Sequence, residues 1–196
     1  MVSRKASGLA AAILLLTPIY SIASTLNGST VTSAIYCCTA PIESDRITNF
    51  RTVLVADNIE FPANSLVFLD GSTSDEVNID IGVSTIDFDV LTTARTDPGT
   101  FNGYIFTFTG APEIIGVSVN PVSVNPGSNF GTLSLSFTTN ALLVSFPDLP
   151  NNPETHLLLD VSLTAAPEPS SLLLIATGVA LFSARLRRSR IKDEAS

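Results

Sequence analysis

Val77-Asn78-Ile79-Asp80-Ile81-Gly82-Val83-Ser84-Thr85-Ile86-Asp87-Phe88-Asp89-Val90 sets apolar against polar residues at nearly every second position. A period of two belongs to a strand with one face buried and one in water, whereas a helix repeats every 3.6 residues. Val77, Ile79, Ile81 and Val83 share one phase, and Ile86, Phe88 and Val90 share the other. A one-residue slip that keeps apolar residues on a single face requires a bulge or a tight bend, here at Ser84-Thr85. The stretch reads as β structure interrupted at its middle.

The same period runs outward in both directions, from Thr30 to Leu163. Before it come Val31/Ser33/Ile35, then Val53/Val55 and Ile59/Phe61 around Asp57-Asn58, and a short run Ser65–Leu69 that stops at the turn Asp70-Gly71-Ser72. After it, the turn Thr96-Asp97-Pro98-Gly99 leads into Phe101–Phe108. Val117-Ser118-Val119-Asn120-Pro121 is repeated at once as Val122-Ser123-Val124-Asn125-Pro126. Its prolines exclude a central ladder position, so the tandem predicts an edge strand bent at a corner. Leu133/Leu135/Phe137 and Leu142/Val144/Phe146 flank Thr139-Asn140 as a hairpin, Pro147 to Pro153 is a loop, and Leu157/Leu159/Val161/Leu163 is the last strand. About nine or ten short strands without helical periodicity define an all-β chain, an antiparallel β-sandwich. Phe106 and Val144 fall on its inward face.

The two ends of this 196-residue chain do not belong to the sandwich. Arg4 and Lys5 precede an apolar core from Leu9 to Leu16, Pro18 breaks it, and Ser21-Ile22-Ala23 puts small residues at −3 and −1. Residues 1–23 read as a secretory signal peptide cut after Ala23, with the secretion translocase as partner. At the other end Pro167-Glu168-Pro169 is expected to be extended and exposed, residues 170–186 read as a short membrane segment, and a basic cluster of Arg185, Arg187, Arg188, Arg190 and Lys192 begins at its end. The segment is short for a membrane span, and the cations predict a cytoplasmic tail and an exported domain. The domain is residues 24–166. It holds fifteen acidic residues against Arg46, Arg51 and Arg95, a net charge of −12, which excludes nucleic acid as a partner.

The C-terminal pattern resembles the PEP-CTERM sorting signal of Gram-negative bacteria: a Pro-Glu-Pro motif, a short membrane helix and an Arg cluster, here over residues 167–196. The resemblance implies processing by an exosortase, a membrane-embedded transpeptidase, and delivery to the extracellular polysaccharide or biofilm matrix. It also implies anchoring in the inner membrane before processing, with a periplasmic ectodomain, and a surface or extracellular place afterwards. The tail Asp193-Glu194-Ala195-Ser196 departs from the pattern. Phe101-Asn102-Gly103-Tyr104-Ile105-Phe106-Thr107, with Ile115–Val119, is similar to a pattern of small ectodomains of that family and implies a shared sandwich only.

Inside the domain, residues that carry chemistry are few. His156 is the lone histidine and reads as a solvated imidazole, and no Gly-x-Ser-x-Gly elbow supplies a nucleophile. No catalytic residue and no cofactor are expected, so the chain reads as no enzyme. Asp70, Asp75 and Glu76 beside a Gly/Ser/Thr turn are the oxygens a Ca²⁺ would take, the basis of an alternative reading as a Ca²⁺-dependent polysaccharide-binding module. Asp87 and Asp89 share a strand face roughly 7 Å apart, the basis of a weaker alternative, a matrix glycan hydrolase. Adjacent Cys37 and Cys38 leave three readings: a vicinal disulfide, pairing with another chain, or thiols on opposite strand faces. Strand alternation favours opposite faces, and two cysteines with one distant histidine do not make a zinc site.

Overall fold

The structure, a computed structural model, describes residues 24–72, 76–126 and 130–165. Ser24–Ala165 is one compact unit. Its strands are β1 (Thr30–Cys38), β2 (Arg51–Leu54), β3 (Ile59–Phe61), β4 (Val77–Ile81), β5 (Thr85–Val90), β6 (Ala94–Arg95), β7 (Phe101–Thr109), β8 (Ile114–Val119), β9 (Ser134–Phe137), β10 (Ala141–Ser145), β11 (Pro150–Asn151) and β12 (His156–Leu163). One sheet runs β2-β1-β7-β10-β9 and the other β3-β4-β5-β12-β8, with a ribbon β11-β6 beside them. Every pairing is antiparallel. Among the described residues there is no α-helix, only a single 3-10 turn at Glu43–Asp45, and none long and apolar enough to cross a membrane. The all-β antiparallel architecture is the one the alternation predicts.

Inward residues of both sheets meet in a single core. Val31, Tyr104, Phe106, Phe108, Leu142 and Val144 come from the first sheet, and Phe61, Ile79, Ile81, Ile86, Phe88, Leu159 and Val161 from the second. Phe106 sits at the centre on β7, with ring centroids 6.1 Å from Phe61 and 5.9 Å from Phe88 across the gap. Such tilted and edge-on ring pairs add specific attraction to the area they bury. On the neighbouring strand β10 packs closely, because a Cβ on Gly103 would lie 1.9 Å from the Val144 carbonyl oxygen.

The slip in the opening stretch is a chain reversal. Ile81 pairs with Ile86, and the Gly82 N–H donates to the Thr85 carbonyl at 3.0 Å, so Gly82–Thr85 closes a β4–β5 hairpin. Val83, read as an inward residue, stands 52% exposed in that turn. The tandem repeat is the bent edge it predicts. Its first copy pairs with β12 through Val117, Ser118 and Val119, the chain jogs at Pro121, and Val124 returns to exchange two 2.8 Å bonds with His156. At the jog the Ser123 hydroxyl stands in for a strand rung, accepting from Leu158 N at 2.9 Å and donating to Leu158 O at 3.0 Å.

Candidate functional site: a cleft at one end of the sandwich

Val77 opens β4, Val90 closes β5, and the two pair at the same end of the sandwich as Thr155 and His156. There the two sheets part around a cleft of about 250 Å³. Its floor is apolar: Ile35, Val77, Val90, Tyr104 and Phe146, with the rings of Tyr104 and Phe146 5.7 Å apart. Its rim is polar and includes Glu76, Arg95, Asp97, Asn102 and Asn151. The β6–β11 ribbon forms a lip because Arg95 bridges to Asp148 with two bonds, Nε to Oδ1 at 2.6 Å and Nη2 to Oδ2 at 2.8 Å. The Arg95 hydrogen bond holds the Asp148 carboxyl below its usual range. Asn102 donates through Nδ2 to the Asp97 carbonyl at 2.9 Å, tying the rim to β7. An apolar floor with a few convergent polar groups is the ordinary anatomy of a small-ligand site.

The chain leaves the sandwich at the other end. Leu163 pairs with Ile114, and Thr164 is held by a 2.8 Å bond to the Glu113 carbonyl and by the Ser24 hydroxyl. Eight residues of β12 separate this exit from the cleft end, about 26 Å of strand.

A second depression lies on the outer face of the β4–β5–β12 sheet, lined by Ile59, Asn78, Asp80, Asp87, Asp89 and His156. Asp80 pairs across to Asp87, and Asp89 is flanked by Asn78 and His156. His156 is not the solvated imidazole expected from the loop before it. Its Nε2 lies 2.7 Å from Asp87 Oδ1, because the register of β12 on β5 brings that ring over the carboxylate. The Asp87 and Asp89 pair is thus joined by Asp80 and a histidine. Among the described residues, no serine, threonine or cysteine lines the depression.

The remaining candidates separate. Asp70 is spent on its own turn, its Oδ1 accepting from Ser72 N at 2.9 Å and Ser72 Oγ at 2.7 Å, and the hydroxyl bond lowers its pKa. Glu76 faces the cleft instead, and Asp75 lies outside the described residues. Cys37 and Cys38 are joined to each other as a vicinal disulfide, with a cis peptide between them. The opposite-face expectation fails because alternation stops at the end of β1, where both residues are half-buried. Ala23, Pro167, Glu168, Pro169, Arg185, Arg187, Arg188, Arg190 and Lys192 lie outside the described residues, as does the 170–186 segment. Sequence reading missed the cleft altogether. Its described residues are scattered from Ile35 to Asn151 with no shared local pattern.

An all-β domain whose last strand leads straight into a C-terminal signal is the layout of an exported, sorted protein. The profile of the PEP-CTERM protein-sorting motif matches residues 165–188, and that motif supports a PEP-CTERM protein, an exosortase substrate. The match takes in Pro167-Glu168-Pro169, the apolar segment and the first three arginines of the cluster, while Arg190 and Lys192 fall beyond it. It implies export and membrane anchoring before processing. No curated protein and no solved structure matches the chain.

Proposed function

We propose that the processed chain is a non-enzymatic component of the cell envelope or extracellular matrix, associated with exopolysaccharide or biofilm. The observation that carries this reading is the sorting motif beginning at residue 165, directly after the last hydrogen-bonded residue of the sandwich, Thr164. In this reading residues 1–23 deliver the chain to the translocase, and the 170–186 segment holds it in the inner membrane. Exosortase then frees the sandwich for the surface. The net charge of −12 over residues 24–166 supports solubility in a crowded matrix. The test is the mass and location of the mature C-terminus in wild-type cells and in cells lacking the exosortase. A processed form in the matrix fraction is expected in the first, and a full-length membrane form in the second. A protein that keeps Arg185 to Lys192 in both would sink the reading.

A second reading, a polysaccharide-binding module, draws on the cleft, whose Tyr104–Phe146 floor and amide rim suit a sugar ring. Calorimetry with an acidic polysaccharide, with and without Ca²⁺, distinguishes it: heat of binding that Glu76→Gln removes supports it, and no heat in either condition overturns it.

A further inference from the structure

Cys37 Sγ, Cys38 Sγ and a carboxylate oxygen of Asp97 all lie within 4.8 Å of one another. Two sulfurs and one oxygen from a single small patch form a donor set, and both ends of it are fixed by the same strand. Cys37 pairs with Asn102 and Cys38 with Phe101 on β7. The Cys38 carbonyl accepts from Thr100 N at 3.0 Å, and Gly99 packs so tightly on it that a Cβ there would lie 1.9 Å from the oxygen. Asp97 is held through its own carbonyl, which accepts from Asn102 Nδ2 at 2.9 Å and from Asp148 N at 3.2 Å. None of these bonds uses a sulfur or the Asp97 carboxylate. The frame therefore survives opening of the S–S bond.

We propose that Cys37, Cys38 and Asp97 form a redox-gated site for a thiophilic divalent cation. As the disulfide, the pair has no thiolate to offer and the site is closed. A dithiol reductant transfers two electrons and two protons to the S–S bond, itself becoming a disulfide, and leaves two thiols side by side. The cation then displaces both thiol protons and binds two thiolates and the Asp97 carboxylate, with water completing its shell. Thiolates select soft and borderline cations over Ca²⁺ and Mg²⁺, and metal binding lowers the thiol pKa enough for the protons to leave at neutral pH. Three adjacent negative groups in a domain already rich in acids favour a divalent charge further. The site lies at the cleft's rim, since Asp97 also lines the cleft, so an ion there would change the charge of that rim.

The experiment uses the full-length chain in detergent, oxidised or reduced with a phosphine that is then removed, and titrated with Cd²⁺ without oxygen. The readouts are the ultraviolet charge-transfer band of a thiolate–Cd²⁺ bond and the metal content after gel filtration. The reduced chain is expected to bind one Cd²⁺ with the band present, and the oxidised chain none. Asp97→Asn, an exposed change that keeps the backbone bonds of residue 97, should weaken binding by about tenfold or more, as loss of a metal-positioning group does. Cys37→Ser should abolish the band. A reduced chain that shows no band, an oxidised chain that binds as well, or an Asp97→Asn chain that binds as tightly as the parent each overturns the three-ligand site.

Discussion

Glu60 is 2% exposed on an edge strand, a place where a carboxylate would ordinarily point to water. The reason lies in the ladder. Ile59 pairs with Asp80 but Phe61 pairs with Ile79, so β3 carries an extra residue and its alternation breaks at Glu60. Such a bulge turns a side chain to the other face. The carboxylate then replaces the missing carbonyls, Oε1 accepting from Ala56 N at 2.8 Å and Oε2 from Ile81 N at 2.7 Å. Glu60→Gln keeps the shape but offers a single acceptor, and its NH₂ meets a backbone N–H. One buried donor left unpaired costs about 1–3 kcal/mol, so a loss of about 1–2 kcal/mol at neutral pH is expected, part of the cost being offset because no charge is buried.

The pH dependence is sharper than the magnitude. Burial pushes the Glu60 carboxyl above its usual range, outweighing the pull of the two N–H donors. With its folded-state pKa above the unfolded one, the folded chain keeps a proton that the unfolded chain has released. Its contribution to stability is therefore full below the unfolded pKa and declines as pH rises through the folded one. The glutamine does not titrate, so the advantage of parent over Glu60→Gln should be largest in acid and narrow towards neutrality. Urea unfolding of residues 24–165 across pH 4 to 8, parent against variant, reads this directly. A gap that widens as pH rises would show that the hydrogen bonds dominate burial. Identical midpoints throughout would show that Glu60 does not hold the loop at all.

Phe106→Ala and Val144→Ala should each cost about 2–5 kcal/mol, with Phe106 at the upper end because β1 and β10 pin its strand on both sides and limit collapse around the cavity. Thermal melts that match the parent for both would refute the inward register. Gly103→Ala drives a methyl into the Val144 carbonyl and should lose about 1–3 kcal/mol or more, visible as a lower urea midpoint; a neutral result would mean that β7 and β10 are not so closely packed. Replacing Pro167-Glu168-Pro169 by three alanines should leave membrane insertion intact and stop processing, so immunoblots show the full-length form accumulating; unchanged processing would remove the motif from recognition. Replacing Arg185, Arg187, Arg188 and Arg190 by serine should weaken retention in the membrane fraction, since the apolar segment is near the lower length for a span; full retention would mean the segment holds alone.

Much of the sandwich was legible because it rests on a local rule. Alternation along β4, β5 and β12 names the buried residues correctly, in β10 it names Leu142 and Val144 but not Ser145, and the prolines of the tandem place β8 at an edge. The rule fails where the chain leaves the pleat. Val83 keeps the phase of β4 while standing in a turn, and Glu60 turns inward at a bulge that no residue of β3 announces. Asp87 and His156 are far apart in sequence and meet only through the β5–β12 register. The cleft depends on contacts of that kind alone, drawing Ile35, Glu76, Arg95, Asn102 and Phe146 together from both sheets and the ribbon. The sorting motif is the opposite case, contiguous and ordered, and so readable without any fold.

That contrast has a consequence for how the chain works. The sorting motif lies after Thr164, in residues 165–188, while the cleft lies at the other end of β12. Between the two stands a closed edge, where the Glu113 carbonyl and the Ser24 hydroxyl hold Thr164 and fix the strand up to its last residue. Cutting the chain beyond this clamp leaves in place every hydrogen bond and every core residue described for Ser24–Ala165. The domain released by exosortase should therefore have the same cleft as the anchored precursor. Substitutions at Pro167 to Pro169 should move the protein between fractions without altering any ligand it holds, and substitutions at Glu76 or Asn102 should do the reverse. If a ligand is found whose affinity changes on cleavage, the sandwich is not the independent unit that its hydrogen bonds describe, and the signal is more than an address.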